Sequence, residues 1–399
     1  MKIHHVFMAG LCLVPTLAHA ELPCQSFDAG EPFKFESEIF EEISGMALSH
    51  RNPNYIWTHV DSDGPASLFL IDHSGALVHT YPIEGVTNID WEDIAVGACP
   101  ESPLKSCIFI ADTGDNLFSR TDKKILIVEE PEIPESIQSG ETTLSLLDVQ
   151  WFVYPKTEET EARYLNPDCE SLMVHPMTGA MYLVSKQSTT GYQTLYRVPR
   201  KTDKITTLVP LSSYTFTSAL GSIKEIYNAT TGADFAPDGK RFAVRTYATI
   251  YEYDLEKYGT LADAFQHPET RFVTAELQGE SIAYDSDGYS FITSGEKYQT
   301  LNAATMSLFR CVKSASWVEP ESDATVSVYP DSVDDPNSEH YEIAGDVPDD
   351  STCHAQPLVA AQRVGGVGIL SFFALFLCLF RRATQTSDTS DNSRQSVNK

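Results

Sequence analysis

Positive charge is scarce in this chain: 28 Lys and Arg stand against 56 Asp and Glu, a formal net charge of −28 with a pI near 4.6. Nucleic acids and anionic lipid surfaces are bound through clustered Lys and Arg, so neither is an expected partner. Between the two ends of the chain no apolar run is long enough to span a bilayer, and the short apolar runs there lack the 3.6-residue spacing of helical arrays. Catalytic fingerprints are missing too. There is no nucleophile elbow, phosphate-binding loop, HExxH or dinucleotide motif. Ser44 and Ser281 follow acids rather than sitting in a G-x-S-x-G turn, and His50, His59, His73, His79 and His175 show no zinc spacing.

The two ends carry the apolar segments. Met1 to Ala20 reads as an export signal: Lys2 precedes the mostly apolar Val6 to Leu17, and Ala18-His19-Ala20 supplies an A-x-A cleavage site. Val364 to Phe380 is an uncharged run of seventeen residues between Arg363 and Arg381-Arg382. It is expected to span a membrane once, leaving 383–399 as a short polar cytoplasmic tail. A sorting tail beginning at Gly365-Gly366 is the alternative for 363–382. Ahead of it, Glu319 to Asp350 holds eleven acids, four prolines and no Lys or Arg, so 319–362 is expected to be a disordered acidic stalk.

Eight cysteines are present. Cys12 lies in the signal and Cys378 in the membrane segment, and an even number outside them in an exported domain implies disulfides before metal. Cys99 and Cys107 are expected to pair across a hairpin-sized loop. For Cys24, Cys169, Cys311 and Cys353 three connectivities stay open. Asn228-Ala229-Thr230 fits a glycosylation sequon.

What remains, 21–318, is one unit repeated. Five segments align, beginning at Glu41, Asp90, Asp168, Gly232 and Gly279. Each runs from a polar or acidic group through a short apolar strand and a tight turn into a second strand. The turns SHRNPN, HPMTG, APDG and YDSDG have hairpin chemistry. A third strand follows in SLFLID, KILIVEE, TLYRVP, TIYEYD and SLFRCV, and a fourth in ALVHTYPI, LDVQWFVYP and ITTLVPLS. Four short antiparallel strands per about 40 to 60 residues describe an all-β fold, the β-propeller. Six blades are expected, with FKFESEIF from Phe33 completing a final blade or Leu261 to Gln278 holding another.

In a propeller the starts of the first strands and the ends of the second strands meet at one mouth of the central funnel. The starts give Glu42, Glu92, Glu170, Asp234 and Glu280; the ends give His59, Asp61, Asp112, Asp115, Lys186, Arg245, Glu296 and Lys297. A ring of carboxylates repels itself unless some are protonated or a cation sits among them. Calcium suits such oxygen ligands, and the expected ligands are Glu42, Glu92, Glu170, Asp234, Glu280 and Asp112. Lys186, Arg245 and Lys297, with His59, are the candidate catalytic residues. The plainer alternatives are that each acid fastens its own blade by accepting backbone N–H bonds and that each cation serves a structural ion pair.

SGMALS, YIWTHVDS, NIDWEDIAVG, IADTGDN, DCESLMVHP and GADFAPDGKRFAVRTY together resemble a group of bacterial exported propellers of unassigned activity. At fold level that group is similar to the six-bladed TolB-like, regucalcin-like and phytase-like propellers. The metal-dependent lactonases and phytases among these hold a divalent ion in the funnel. By position, the resemblance implies Glu42, Glu92, Glu170 and Glu280 as ligands.

Two functions follow as expectations. One is a membrane-tethered propeller on the periplasmic or extracellular side that binds a protein or small ligand at a calcium-holding funnel. The other is a divalent-cation-dependent hydrolase of phosphate or lactone esters, with Lys186 and Arg245 stabilising developing negative charge. A plainer third makes the propeller an assembly platform.

Overall fold

The computed structural model describes residues 23–317, apart from 63, 157–166, 187–191, 201–204, 218–227, 275, 277, 298–302, 315 and 316. The export signal 1–20, stalk 319–362, apolar segment 363–382, tail 383–399 and Cys353 lie outside the described residues. No helix among the described residues is long and apolar enough to cross a membrane.

The chain enters through β1 (Cys24–Ala29) and β2 (Phe33–Lys34), then a 3-10 turn, Glu38–Phe40. Blade 1 is β3 (Ile43–Leu48), β4 (Tyr55–Val60), β5 (Ser67–Asp72) and β6 (Leu77–Pro82). Blade 2 is β7 (Trp91–Cys99), β8 (Ser102–Asp112), β9 (Lys124–Glu129) and β10 (Asp148–Val153). Blade 3 is β11 (Asp168–Val174), β12 (Met181–Lys186), β13 (Tyr192–Val198) and, after the two-residue β14 (Thr206–Thr207), β15 (Val209–Thr215). The short β14 joins the outer edge of blade 2 beside β10. Blade 4 is β16 (Thr230–Phe235), β17 (Arg241–Thr246), β18 (Thr249–Asp254) and β19 (Thr270–Val273), with α1 (Leu255–Tyr258) and α2 (Leu261–Ala264) before its last strand. Blade 5 is β20 (Gly279–Tyr284), β21 (Phe291–Gly295) and β22 (Thr305–Lys313).

The described residues therefore form five blades, not the expected six. Both segments read as material for an extra blade finish existing ones. β1 and β2 pair antiparallel with β22, so the N-terminal segment supplies the outer strand of blade 5. The 261–278 segment carries α2 and β19, the outer strand of blade 4. The inner strands contact one another in the order β3, β7, β11, β16, β20 and back to β3, which closes the ring.

Each pair of neighbouring blades shares one apolar layer. Trp57 and Leu70 pack with Ile94 and Ile110 between blades 1 and 2, Phe109 and Ile127 with Leu172 and Leu183 between blades 2 and 3, and Met46 and Phe69 with Ile292 and Met306 between blades 1 and 5. A blade sandwiched this way is apolar on both faces, which is why Ile108-Phe109-Ile110-Ala111 reads as a continuous apolar run rather than an alternating one. Every residue of β3, β7, β11 and β20 is buried. The hairpin turns need left-handed backbone at Gly239 (φ 69°) and Gly288 (φ 68°), which glycine adopts without steric cost.

Cys99 and Cys107 are disulfide-bonded as expected, and of the open connectivities the structure holds Cys24–Cys311. The latter joins β1 to β22 and so fastens the ring across its seam. Cys169 is a buried thiol, pushed up to about 12 by burial. Thr230 of the sequon is buried in β16, its hydroxyl donating to the Ser185 carbonyl at 3.1 Å.

Candidate functional site

The mouth is shaped by an irregularity repeated in every blade. The pairing of inner and second strands shifts just after Ile43, Trp91, Cys169, Thr230 and Gly279. A bulge adds a residue to one strand and re-aims its side chain. Counting one residue on gives Ser44, Glu92, Glu170, Thr231 and Glu280 at the equivalent position. Three are glutamates and two are hydroxyls. The residue before the shifted pair is Glu42, Asp90 and Asp168 in the first three blades. Blades 2 and 3 thus both present D-x-E, Asp90-Trp91-Glu92 and Asp168-Cys169-Glu170.

Carboxylate oxygens converge there in two sets. Those of Asp61, Asp90 and Glu92 lie within 4.8 Å of one another, and so do those of Glu92, Asp168 and Glu170. The surrounding main chain holds these acids in place. Asn88 donates to the carbonyls of Val60 (3.0 Å) and Asp61 (2.8 Å) and accepts from Trp91 N (3.1 Å), tying the end of β4 to the start of β7. The Asp90 carbonyl accepts from Thr113 N and Gly114 N at 3.1 and 3.2 Å. Oδ1 of Asp168 accepts from Asp115 N at 2.8 Å and Cys169 N at 3.0 Å. Gly114 runs so close to the acids that a Cβ there would stand 2.0 Å from Glu92 Oε1 and 2.6 Å from Asp90 Oδ2. No side chain fits.

Glu92 is 5 % exposed, and its carboxylate makes no hydrogen bond or ion pair among the described residues. Burial, then Glu170, Asp61 and Asp168, push it well above the usual carboxylate range. Asp61 is raised to about 6 and Asp90 to about 7, each by burial first. Glu170, raised by burial to about 8, pairs through Oε1 with Lys186, while its buried Oε2 has no hydrogen-bond partner among the described residues. On the blade 5 side, Glu280 is raised by burial and by Glu296, and Glu296 to about 9 by burial and by Glu42 and Asp61. Lys186 lies 5.0 Å from the Tyr247 ring centroid. Burial lowers its pKa, but Glu170, Tyr247, Asp168 and Glu280 outweigh that and raise it well above the ordinary value.

Of the expected metal ligands, the structure brings Glu92 and Glu170 into the converging sets and places Glu280 at the equivalent strand position. Glu42 is exposed, two positions ahead of Ser44. Asp234 stands at the far end of β16, where Oδ2 accepts from Tyr284 N at 2.8 Å and burial raises its pKa to about 7. Asp112 is an ion-pair hub, with Arg120 at 2.7 Å on Oδ1 and Lys124 at 2.6 Å on Oδ2. Asp115 pairs with Lys123 at 3.3 Å and accepts from Ser119 N and Arg120 N.

The candidate catalytic residues have separate partners. Arg245 is fully buried between blades 4 and 5, donating to the carbonyls of Ser281 (2.8 Å) and Ser294 (3.2 Å) and pairing with Glu276 at 3.0 Å. Lys297 pairs with Glu41. His59 is sealed in the core, edge-on to Trp91 at 5.7 Å, and lowered by burial to about 4. Lys186 alone of the four has its charged group among the converging acids.

Asp93 shows the fastening role in full. Its Oδ2 accepts from Leu172 N (2.7 Å) and Ala233 N (3.2 Å), so one buried carboxyl laces blades 2, 3 and 4. The sequence reading did not single out Asp90, Asp168, Gly114 or Tyr247 as site residues. The D-x-E shared by two adjacent repeats was the signal for the first two. For Gly114 and Tyr247 the repeat carries none.

All the donors of the converging sets are carboxylate oxygens. Such a set fits a hard divalent cation of the calcium or magnesium kind and not a thiolate- or imidazole-seeking metal. No known protein-family model matches the chain, and no curated protein matches it.

Proposed function

We propose that this protein is an exported, membrane-tethered β-propeller that binds a protein or small ligand at a funnel mouth organised by a divalent cation, calcium in the first instance. The observation that carries this reading is Glu92, a buried carboxylate with no hydrogen bond or ion pair among the described residues, standing where Asp61, Asp90, Asp168 and Glu170 converge. Bound there, the cation would supply positive charge and coordination positions for ligand oxygens. The residues that would hold it are these five. Lys186 limits the repulsion among them through Glu170.

Binding is favoured over hydrolysis by the placement of the cations. A hydrolase of the expected kind needs Lys186 and Arg245 facing one reacting group, whereas Arg245 is spent on carbonyls and Glu276 inside the blade 4 and 5 contact. The tether is the apolar Val364 to Phe380, reached through the acidic stalk.

Thermal unfolding of the full-length chain with and without calcium tests the reading. A ligand of the native state at about a hundredfold excess over its dissociation constant adds about 2.7 kcal/mol and raises the midpoint. The shift is expected in the wild type and absent in Glu92→Gln. If no divalent ion moves the wild-type midpoint, the acids are blade-fastening architecture and the reading falls.

A further inference from the structure

The geometry points to two cation positions at the mouth rather than one, bridged by Glu92. One lies between Asp61, Asp90 and Glu92, the other between Glu92, Asp168 and Glu170. The inference rests on the cation-binding reading above and deepens it.

Three observations support two positions. First, Glu92 is the one residue common to both sets. The first set joins the end of β4 to the start of β7, and the second joins the start of β7 to the start of β11, so each spans a different blade contact. Second, among the described residues Glu170 Oε2 is buried without a donor and Glu92, itself buried, makes no hydrogen bond or ion pair. A buried polar atom without a partner is destabilising, more so when charged, and a cation removes that cost. Third, two of the other carboxylates are braced through one oxygen: Asp168 Oδ1 by two main-chain amides and Asp61 Oδ1 by Ser62 N at 2.5 Å. Such bracing fixes a metal ligand's orientation while the second oxygen stays open.

Ionised, the five carboxylates carry five negative charges; Lys186 offsets one through Glu170, and Arg120 and Lys123, which act on Asp90 and Asp168, are engaged with Asp112 and Asp115, so the cluster as a whole attracts divalent cations. Paired divalent ions sharing a ligand typically lie about 3.5–4 Å apart. Gly114 serves the same arrangement, because any larger residue would occupy the space beside Glu92 Oε1 and Asp90 Oδ2.

Manganese(II) is the probe, because two ions sharing a carboxylate are exchange-coupled and an isolated ion is not. The full-length chain is loaded with Mn2+, desalted, and examined by metal analysis and low-temperature electron paramagnetic resonance. The wild type is expected to retain about two ions per chain and to give a coupled spectrum. Asp90→Asn is expected to lose the first position, halving the metal content and leaving the hyperfine pattern of an isolated ion. Glu92→Gln is expected to lose both the coupling and most of the metal. Far-UV circular dichroism and the unfolding midpoint of the metal-free variants establish that they are folded. A wild type that keeps one ion, or two without coupling, overturns the bridged pair while leaving the proposed function standing. A wild type that keeps none overturns both.

Discussion

The main-chain N–H of Asp115 donates to Oδ1 of Asp168 at 2.8 Å across 53 residues of chain, fastening the loop after β8 to the start of β11. The Thr113 hydroxyl reinforces the junction by donating to the Cys169 carbonyl at 2.7 Å. Through these two bonds the segment Asp112-Thr113-Gly114-Asp115 lies against the acids of both blades. Its least replaceable member should be Gly114.

Gly114→Ala is expected to abolish calcium binding while the blades still fold. The added methyl would need the space now held by Glu92 Oε1 and the Asp90 carboxylate, so both acids must shift to admit it. Isothermal titration with calcium checks this. Retention of wild-type affinity would show that Gly114 is a loop requirement and nothing more.

The seam of the ring gives a stability prediction. Cys24–Cys311 closes a loop of 287 residues and Cys99–Cys107 one of 8. In the chain-entropy account a longer closed loop restrains the unfolded chain more, by about 3 kcal/mol for this ratio of lengths. Urea unfolding should therefore show a larger loss for the Cys24→Ser, Cys311→Ser double variant than for Cys99→Ser, Cys107→Ser. Equal losses would mean that the seam holds by strand pairing alone.

Acid should weaken the fold through its buried imidazoles. Burial lowers both His59 and His175 from 6.5 to about 4. A base whose folded pKa is depressed contributes stability that is fully present above its unfolded pKa and is lost as pH falls from about 6.5 to about 4. Asp234 and Glu252, each raised by burial to about 7, act oppositely: their contribution is present below about 4 and is lost as pH rises through 7. The histidine part is isolated by comparing urea midpoints of wild type and His175→Gln at pH 7 and pH 4.5. The variant should lose less on acidification, by up to about 3 kcal/mol. An unchanged difference would place His175 in an unperturbed setting.

Much of the fold was legible in the sequence because each blade is buried on both faces and punctuated by hairpin turns. The third strands SLFLID, KILIVE and TIYEYD occur as β5, β9 and β18. The blade number was not legible, since the segment from Phe33, whose first residues pair with β22 and complete the last sheet, looks in sequence like material for another. The acids were partly legible. Asp234 aligned with the glutamates by its place in an apolar run, but the bulge after Thr230 makes Thr231 the equivalent residue and puts Asp234 at the other end of the strand. An added bulge residue leaves no mark in composition. Arg245 resembled Lys186 by strand position, yet its long side chain turns into the blade contact, into space left by Gly279.

That last difference separates two cations that the repeat makes look alike. Arg245→Met would leave Glu276 buried without its partner and the Ser281 and Ser294 carbonyls without a donor. Removing one partner of a buried ion pair costs about 3–5 kcal/mol, so the unfolding midpoint should fall steeply while calcium affinity stays near wild type. Lys186→Met removes the positive charge paired with Glu170 among the converging acids. The metal-free protein should lose stability, calcium should bind more tightly, and the midpoint should recover more on adding calcium than in the wild type. Titration calorimetry and thermal unfolding of both variants check the pair. Weaker calcium binding in Lys186→Met would mean that the lysine positions Glu170 rather than competing with the cation.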